Sequence, residues 1–75
     1  MAIDEHKVDE AGLALLRLTL HDGCRAWKSL DWSVLNRLHE KGLIENPVSK
    51  AKSVVLTPKG LAESERLFEA WFVTK

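Results

Sequence analysis

The side chains best suited to recognition chemistry lie between Ser33 and Lys52. If Val34, Leu35 and Leu38 face inward on a helix, then Ser33, Asn36, Arg37, Glu40 and Lys41 face outward. An asparagine amide can bond the edge of adenine at two points, and an arginine fork the edge of guanine; serine and lysine reach phosphate. Lys50 and Lys52 follow in a polar loop, where they could add phosphate contacts. Ser33, Asn36, Arg37, Lys41, Lys50 and Lys52 are therefore the candidate nucleic-acid-binding set, with double-stranded DNA as the partner they would suit. The same composition also describes a plain solvated helix face, and Asp31 and Glu40 would repel phosphate.

Other chemistries find less support. His21 and Cys24 stand at a His-x-x-Cys spacing, but a structural zinc site takes four ligands, usually as two close pairs. The second pair is missing and His39 belongs to a different segment, so no metal or cofactor is expected. Cys24 is the only cysteine, which excludes an intramolecular disulfide and suits a small, buried or half-buried apolar filler in a reducing compartment. No serine, cysteine or histidine sits in a nucleophile motif, and there is no phosphate-cradling glycine loop. A non-enzymatic chain is expected.

These residues need elements to position them. The 75 residues are 45% hydrophobic and 29% charged, the composition of one small globular domain spanning residues 1–75. The N-terminus lacks the basic-then-apolar layout of a signal peptide and no apolar run reaches membrane-spanning length, so a cytoplasmic protein is expected. Net charge is zero but unevenly spread. Lys7 and Arg17 oppose five acids before Cys24, whereas Arg25, Lys28, Arg37, Lys41, Lys50, Lys52 and Lys59 oppose only Asp31, Glu40 and Glu45. A basic middle between acidic ends hints at an anionic partner.

The first segment, about Asp4 to His21, reads as a helix with acids at its positive end. Val8, Ala11, Leu15 and Leu18 form one apolar row; Leu13, Leu16 and Leu20 form another. Such a helix either crosses the domain interior or meets a second chain. Gly23 suits a left-handed cap, and Cys24 to Leu30 reads as a short connection with at most one helical turn. Asp31 caps a second helix, about Trp32 to Lys41, which Gly42 ends. Leu43–Glu45 and Ser53–Leu56 can pair as a β-hairpin across a loop at 46–52. Thr57 and Pro58 open a last helix whose apolar row is Leu61, Leu67, Phe68, Trp71 and Phe72.

The stretch Leu35-Asn-Arg-Leu-His-Glu-Lys-Gly-Leu-Ile44, followed by Ser53-Val-Val-Leu-Thr-Pro-Lys-Gly-Leu61, resembles the winged-helix domains of bacterial transcription regulators. There a recognition helix runs into a two-stranded wing and a Leu-Thr-x-x-Gly exit. Over nearly its full length the chain also resembles a bacterial family of small uncharacterised proteins of this type. The fold expected is α+β, mainly helical and winged-helix-like: three main helices, a two-stranded wing, and a second helix of the helix-turn-helix that is short or missing. That missing brace departs from the pattern and weakens a DNA-binding reading.

Two functions follow. One is a binding module for DNA or transcription regulation. The other is a degenerate winged helix serving as a homodimeric protein-interaction or assembly module. A third, a small-molecule sensor, would need a pocket beside Trp27. Winged-helix regulators often dimerise through their first and last helices. Leu13, Leu16, Leu20, Trp71 and Phe72 are accordingly the candidate dimer interface, while Trp27 and Trp32 are expected in the core.

Overall fold

The computed structural model describes residues 2–74. Along the chain run α1 (Glu5–Leu15, continued by a 3₁₀ turn at Leu16–Thr19), β1 (Arg25–Trp27), α2 (Trp32–Glu40), β2 (Ser53–Val55) and α3 (Pro58–Phe72). The fold is α+β and mainly helical, an arrangement compatible with a winged helix. Among the described residues no helix is long and apolar enough to cross a membrane.

Each helix starts at a side-chain cap. Asp4, Asp31 and Thr57 accept from the backbone N–H groups of Lys7, Ser33 and Gly60, which would otherwise lack partners. α2 ends as its glycine requires. Gly42 takes φ +75°, its N–H donates to the His39 carbonyl, and that of Leu43 donates to the Leu38 carbonyl.

The first helix is shorter than expected. It tightens to 3₁₀ at Leu16 and stops before His21, because its last residues serve the sheet. The Thr19 hydroxyl accepts from Trp27 N–H at 3.1 Å, and His21 and Arg25 exchange backbone bonds of 2.8 and 2.9 Å across a turn at Asp22 and Gly23. The segment expected as a connection is therefore β1, with no helical turn. It pairs antiparallel with β2, Arg25 facing Val55, Ala26 facing Val54 and Trp27 facing Ser53. The anticipated pairing also forms, on the other edge of β2, as one bridge between Ile44 and Leu56 flanked by bonds from Glu45 N–H to Val55 and Thr57 N–H to Leu43.

The core gathers Leu13, Ala14 and Leu16 of α1, Ala26 of β1, Val34, Leu35 and Leu38 of α2, then Leu43, Ile44, Val54, Leu56 and Leu67. Two expectations are corrected here. Trp27 and Trp32 are not core residues; they are 50% and 49% exposed. In a three-residue strand only one side chain points inward, and Ala26 takes that place. Leu13 and Leu16, named for a dimer interface, are fully buried inside this chain, and Leu20 packs half-buried against the same core. The outward apolar row of the first helix is the other one, Val8, Leu15 and Leu18.

Candidate functional site

Three surfaces could meet a partner: the outer face of α2 with the loop at 46–52, the α1–α3 pair, and the outer face of the sheet.

Arg37 of α2 and Lys41, the C-cap of that helix, are already engaged. Asp9 of α1 is 1% exposed. Arg37 donates to it through Nε and Nη2 at 2.8–3.0 Å, and Lys41, one turn later, donates through Nζ at 2.9 Å. Glu5 adds a 3.3 Å contact to the Arg37 guanidinium from the surface side. A buried carboxylate needs such partners, because an unpaired charge in the interior is costly. Burial pushes the Asp9 carboxyl upward, but the Arg37 and Lys41 bonds and their charges outweigh it, so its pKa lies below the usual value. The same bonds raise the Arg37 pKa. Arg37 and Lys41 are thus structural ions that tie α2 to α1, which removes them from the outward set expected of a DNA-reading helix.

Of that set, the Ser33 hydroxyl bonds its own cap residue, Asp31, whose pKa it lowers. Asn36 is half-buried, and Lys50 and Lys52 are exposed. The histidines are also separately engaged: His21 Nδ1 donates to the Thr19 carbonyl at 2.8 Å, and His39 Nδ1 to that of Ile44 at 3.0 Å. Among the described residues no three His, Cys, Asp or Glu side chains are grouped as a metal site would need. Cys24 is half-buried.

α1 and α3 lie antiparallel. Lys7 sits over the Trp71 ring at 5.5 Å near one end, and Arg17 donates to Ser64 Oγ at 3.1 Å near the other. One side of the pair holds a cleft of about 230 Å³ whose floor includes Leu13, Leu38, Leu43 and Leu67, and whose rim carries Glu10, Lys59 and Glu63. Val8, Leu15 and Leu18 of the first helix lie off the face that carries Leu13, and on α3 Phe68 and Phe72 stand one turn apart, off the face that carries Leu67. Phe72 meets Phe68 and Trp71 edge-to-face, at 5.6 and 6.3 Å, while Trp71 and Phe72 remain 41% and 45% exposed.

The sheet face was not anticipated. Trp27 stacks against His21 with centroids 4.5 Å apart, beside Arg25, whose guanidinium reaches Ser53 Oγ at 3.4 Å. The signal for it was the alternation Arg25-Ala26-Trp27, a strand pattern too short to stand out.

The family described as Domain of unknown function (DUF6429) matches residues 4–74 of this chain. An uncharacterized protein of Sinorhizobium fredii, y4hR, is 58% identical over 72 residues, covering 96% of this chain and 97% of that one. No solved structure matches. The resemblance to a bacterial family of small uncharacterised proteins therefore stands, and neither the family's description nor the relative's names a ligand.

Proposed function

We propose that this chain, which belongs to the DUF6429 family, is a non-enzymatic assembly module of the cytoplasm that associates with a second copy of itself through the α1–α3 face. One observation carries this reading: on the two packed helices, Val8, Leu15 and Leu18 of the first and Trp71 and Phe72 of the last are all large apolar side chains left exposed. Several large apolar side chains open to water on so small a domain point to a contact surface. A domain of this size also gains stability when a partner enlarges its core. The titratable groups that do come together, Asp9, Arg37 and Lys41, neutralise one another in a structural role.

Light scattering on the purified chain, over a dilution series, tests the reading. Wild type should run as a dimer that dissociates on dilution, and a Leu18→Glu/Phe72→Glu variant should run as a folded monomer. A wild type that stays at the monomer mass of 8.5 kDa at every concentration rejects self-association. A variant that remains dimeric rejects this face.

A second reading, duplex DNA binding in transcription regulation, is supported by the exposure of Lys50 and Lys52 and the accessible part of Asn36. It is the weaker reading, because Arg37 and Lys41 are held by Asp9. Duplex binding that is lost in a Lys50→Ala/Lys52→Ala variant would favour it.

A further inference from the structure

We propose that the outer face of the β1–β2 pair is a stacking platform for single-stranded nucleic acid, with Trp27 contacting a base and Arg25, Lys28, Lys50 and Lys52 contacting phosphates. This inference stands on a different surface from the α1–α3 face and does not depend on self-association.

The indole is both presented and held. Trp27 points out of the sheet because Ala26, its neighbour, is the inward residue of β1. Its backbone is fixed on both sides, by its N–H to the Thr19 hydroxyl at 3.1 Å and by the register that sets it opposite Ser53. His21 lies against the ring at 4.5 Å and 30°, and is itself oriented by its bond to the Thr19 carbonyl. Half of the indole surface is still open to solvent. A rigid, half-exposed aromatic on a short sheet offers a flat face on which any base can stack.

The charges around it match a phosphate chain. Arg25 is on the same strand, and Lys28 follows Trp27 with its N–H on the Lys52 carbonyl at 2.9 Å. Lys28 Nζ reaches Ser49 O and Oγ at 3.1 and 3.2 Å, which draws the loop holding Lys50 toward the strand end. Among the described residues none of these four cations makes an ion pair, unlike Arg37 and Lys41. The exposed acids flanking these elements are Asp22 in the turn before β1, Asp31 three residues after Lys28, and Glu45, whose N–H bonds Val55 on the far edge of β2. None of the three is ion-paired to Arg25, Lys28, Lys50 or Lys52 among the described residues.

The preference for a single strand follows from the same geometry. An indole lying on a sheet needs an unstacked base, which duplex DNA keeps inside its own stack. The element that would enter a major groove, α2, has its Arg37 and Lys41 bound to Asp9.

The experiment is fluorescence anisotropy of a labelled thymidine oligomer of about twelve nucleotides, beside a duplex of equal length, at low salt. Wild type, Trp27→Ala, Trp27→Phe and Lys50→Ala/Lys52→Ala are compared, with circular dichroism to show that each is folded. Wild type should bind the single strand more tightly than the duplex. Trp27→Ala should weaken binding roughly 5- to 150-fold and Trp27→Phe should restore most of it. Four phosphate contacts should give a slope of about −3 in log K against log salt for the wild type, reduced in the lysine variant. No single-strand binding, a Trp27→Ala variant that binds as wild type does, or tighter binding to the duplex would each overturn the proposal.

Discussion

Arg37 of α2 closes on Asp9 of α1 through two guanidinium nitrogens at 2.8–3.0 Å, while the side chain of Asp9 is almost wholly removed from water. Only one of the pair is buried: the Arg37 side chain keeps a quarter of its surface exposed, and Lys41 more than a third. The pair therefore acts as a one-sided clasp, in which a sunken anion holds two cations that still touch solvent. It sets the angle between α1 and α2 and, with it, the shape of the Leu13–Leu38 floor of the cleft.

Removing one cation from the clasp should cost more for Arg37 than for Lys41. Arg37→Met takes away two donor atoms and leaves Asp9 with Lys41 alone, whereas Lys41→Met leaves the guanidinium bonds in place. Loss of one member of a buried pair is destabilising, and with both cations partly solvated the loss should be clearly larger for Arg37→Met than for Lys41→Met. Urea denaturation of the two variants beside wild type measures both. Equal losses would mean that Asp9 is held by charge alone and not by the fork.

The same carboxylate should make stability sensitive to acid. Its folded pKa is depressed, so the clasp contributes fully above the unfolded carboxylate value and is lost as pH falls through the folded one. Wild type should hold its urea midpoint from neutral pH down to about pH 4 with respect to this group, then lose the Asp9 contribution below it. An Asp9→Asn variant should lie below wild type at neutral pH and converge with it in acid. A gap between the two that persists unchanged at low pH would show that the carboxylate's ionised form is not what stabilises the fold.

Much of the fold was legible in the residues, and most of the site was not. Asp31, Gly42, Thr57 and Pro58 act through local backbone rules, so their places in caps and turns could be read directly. β1 could not, since three residues carry almost no periodicity and its partner lies across α2 in sequence. The two apolar rows of the first helix were visible, but which row faces the core depends on where α2 and α3 land. The Asp9 clasp is hidden for the same reason. An acid in the first turns of a helix reads as a dipole partner, and only the fold brings Arg37, far along the chain, against it.

Gly60 should tolerate no side chain. A Cβ there would lie 1.8 Å from the Leu43 carbonyl oxygen, a contact with backbone that no rotamer can relieve. The close approach is fixed by Thr57, whose hydroxyl donates to the Gly42 carbonyl at 2.7 Å while its N–H bonds Leu43. Gly60→Ala must then push the first turn of α3 away from the α2–β2 connection, at a cost of about 2–3 kcal/mol. For a domain of this length that corresponds to a fall in Tm of roughly 10–20 °C. A thermal melt within a few degrees of wild type would show that α3 can shift at little cost.

The two apolar rows of the first helix should separate cleanly in their response to mutation. Leu16 is fully buried in the core, so Leu16→Ala leaves a cavity and should cost about 2–5 kcal/mol. Leu18, two residues on, is 67% exposed, so in the isolated chain Leu18→Ala should change stability by no more than about 0.5 kcal/mol. If the α1–α3 face joins two copies, Leu18→Ala acquires a second effect. It weakens association, and the apparent stability of the dimer then falls with it by mass action. Urea denaturation at two protein concentrations distinguishes these contributions: the Leu16→Ala loss persists at both, whereas the Leu18→Ala loss appears only where wild type is dimeric. A Leu18→Ala loss of equal size at both concentrations would place Leu18 in the core of the single chain and remove it from the association face.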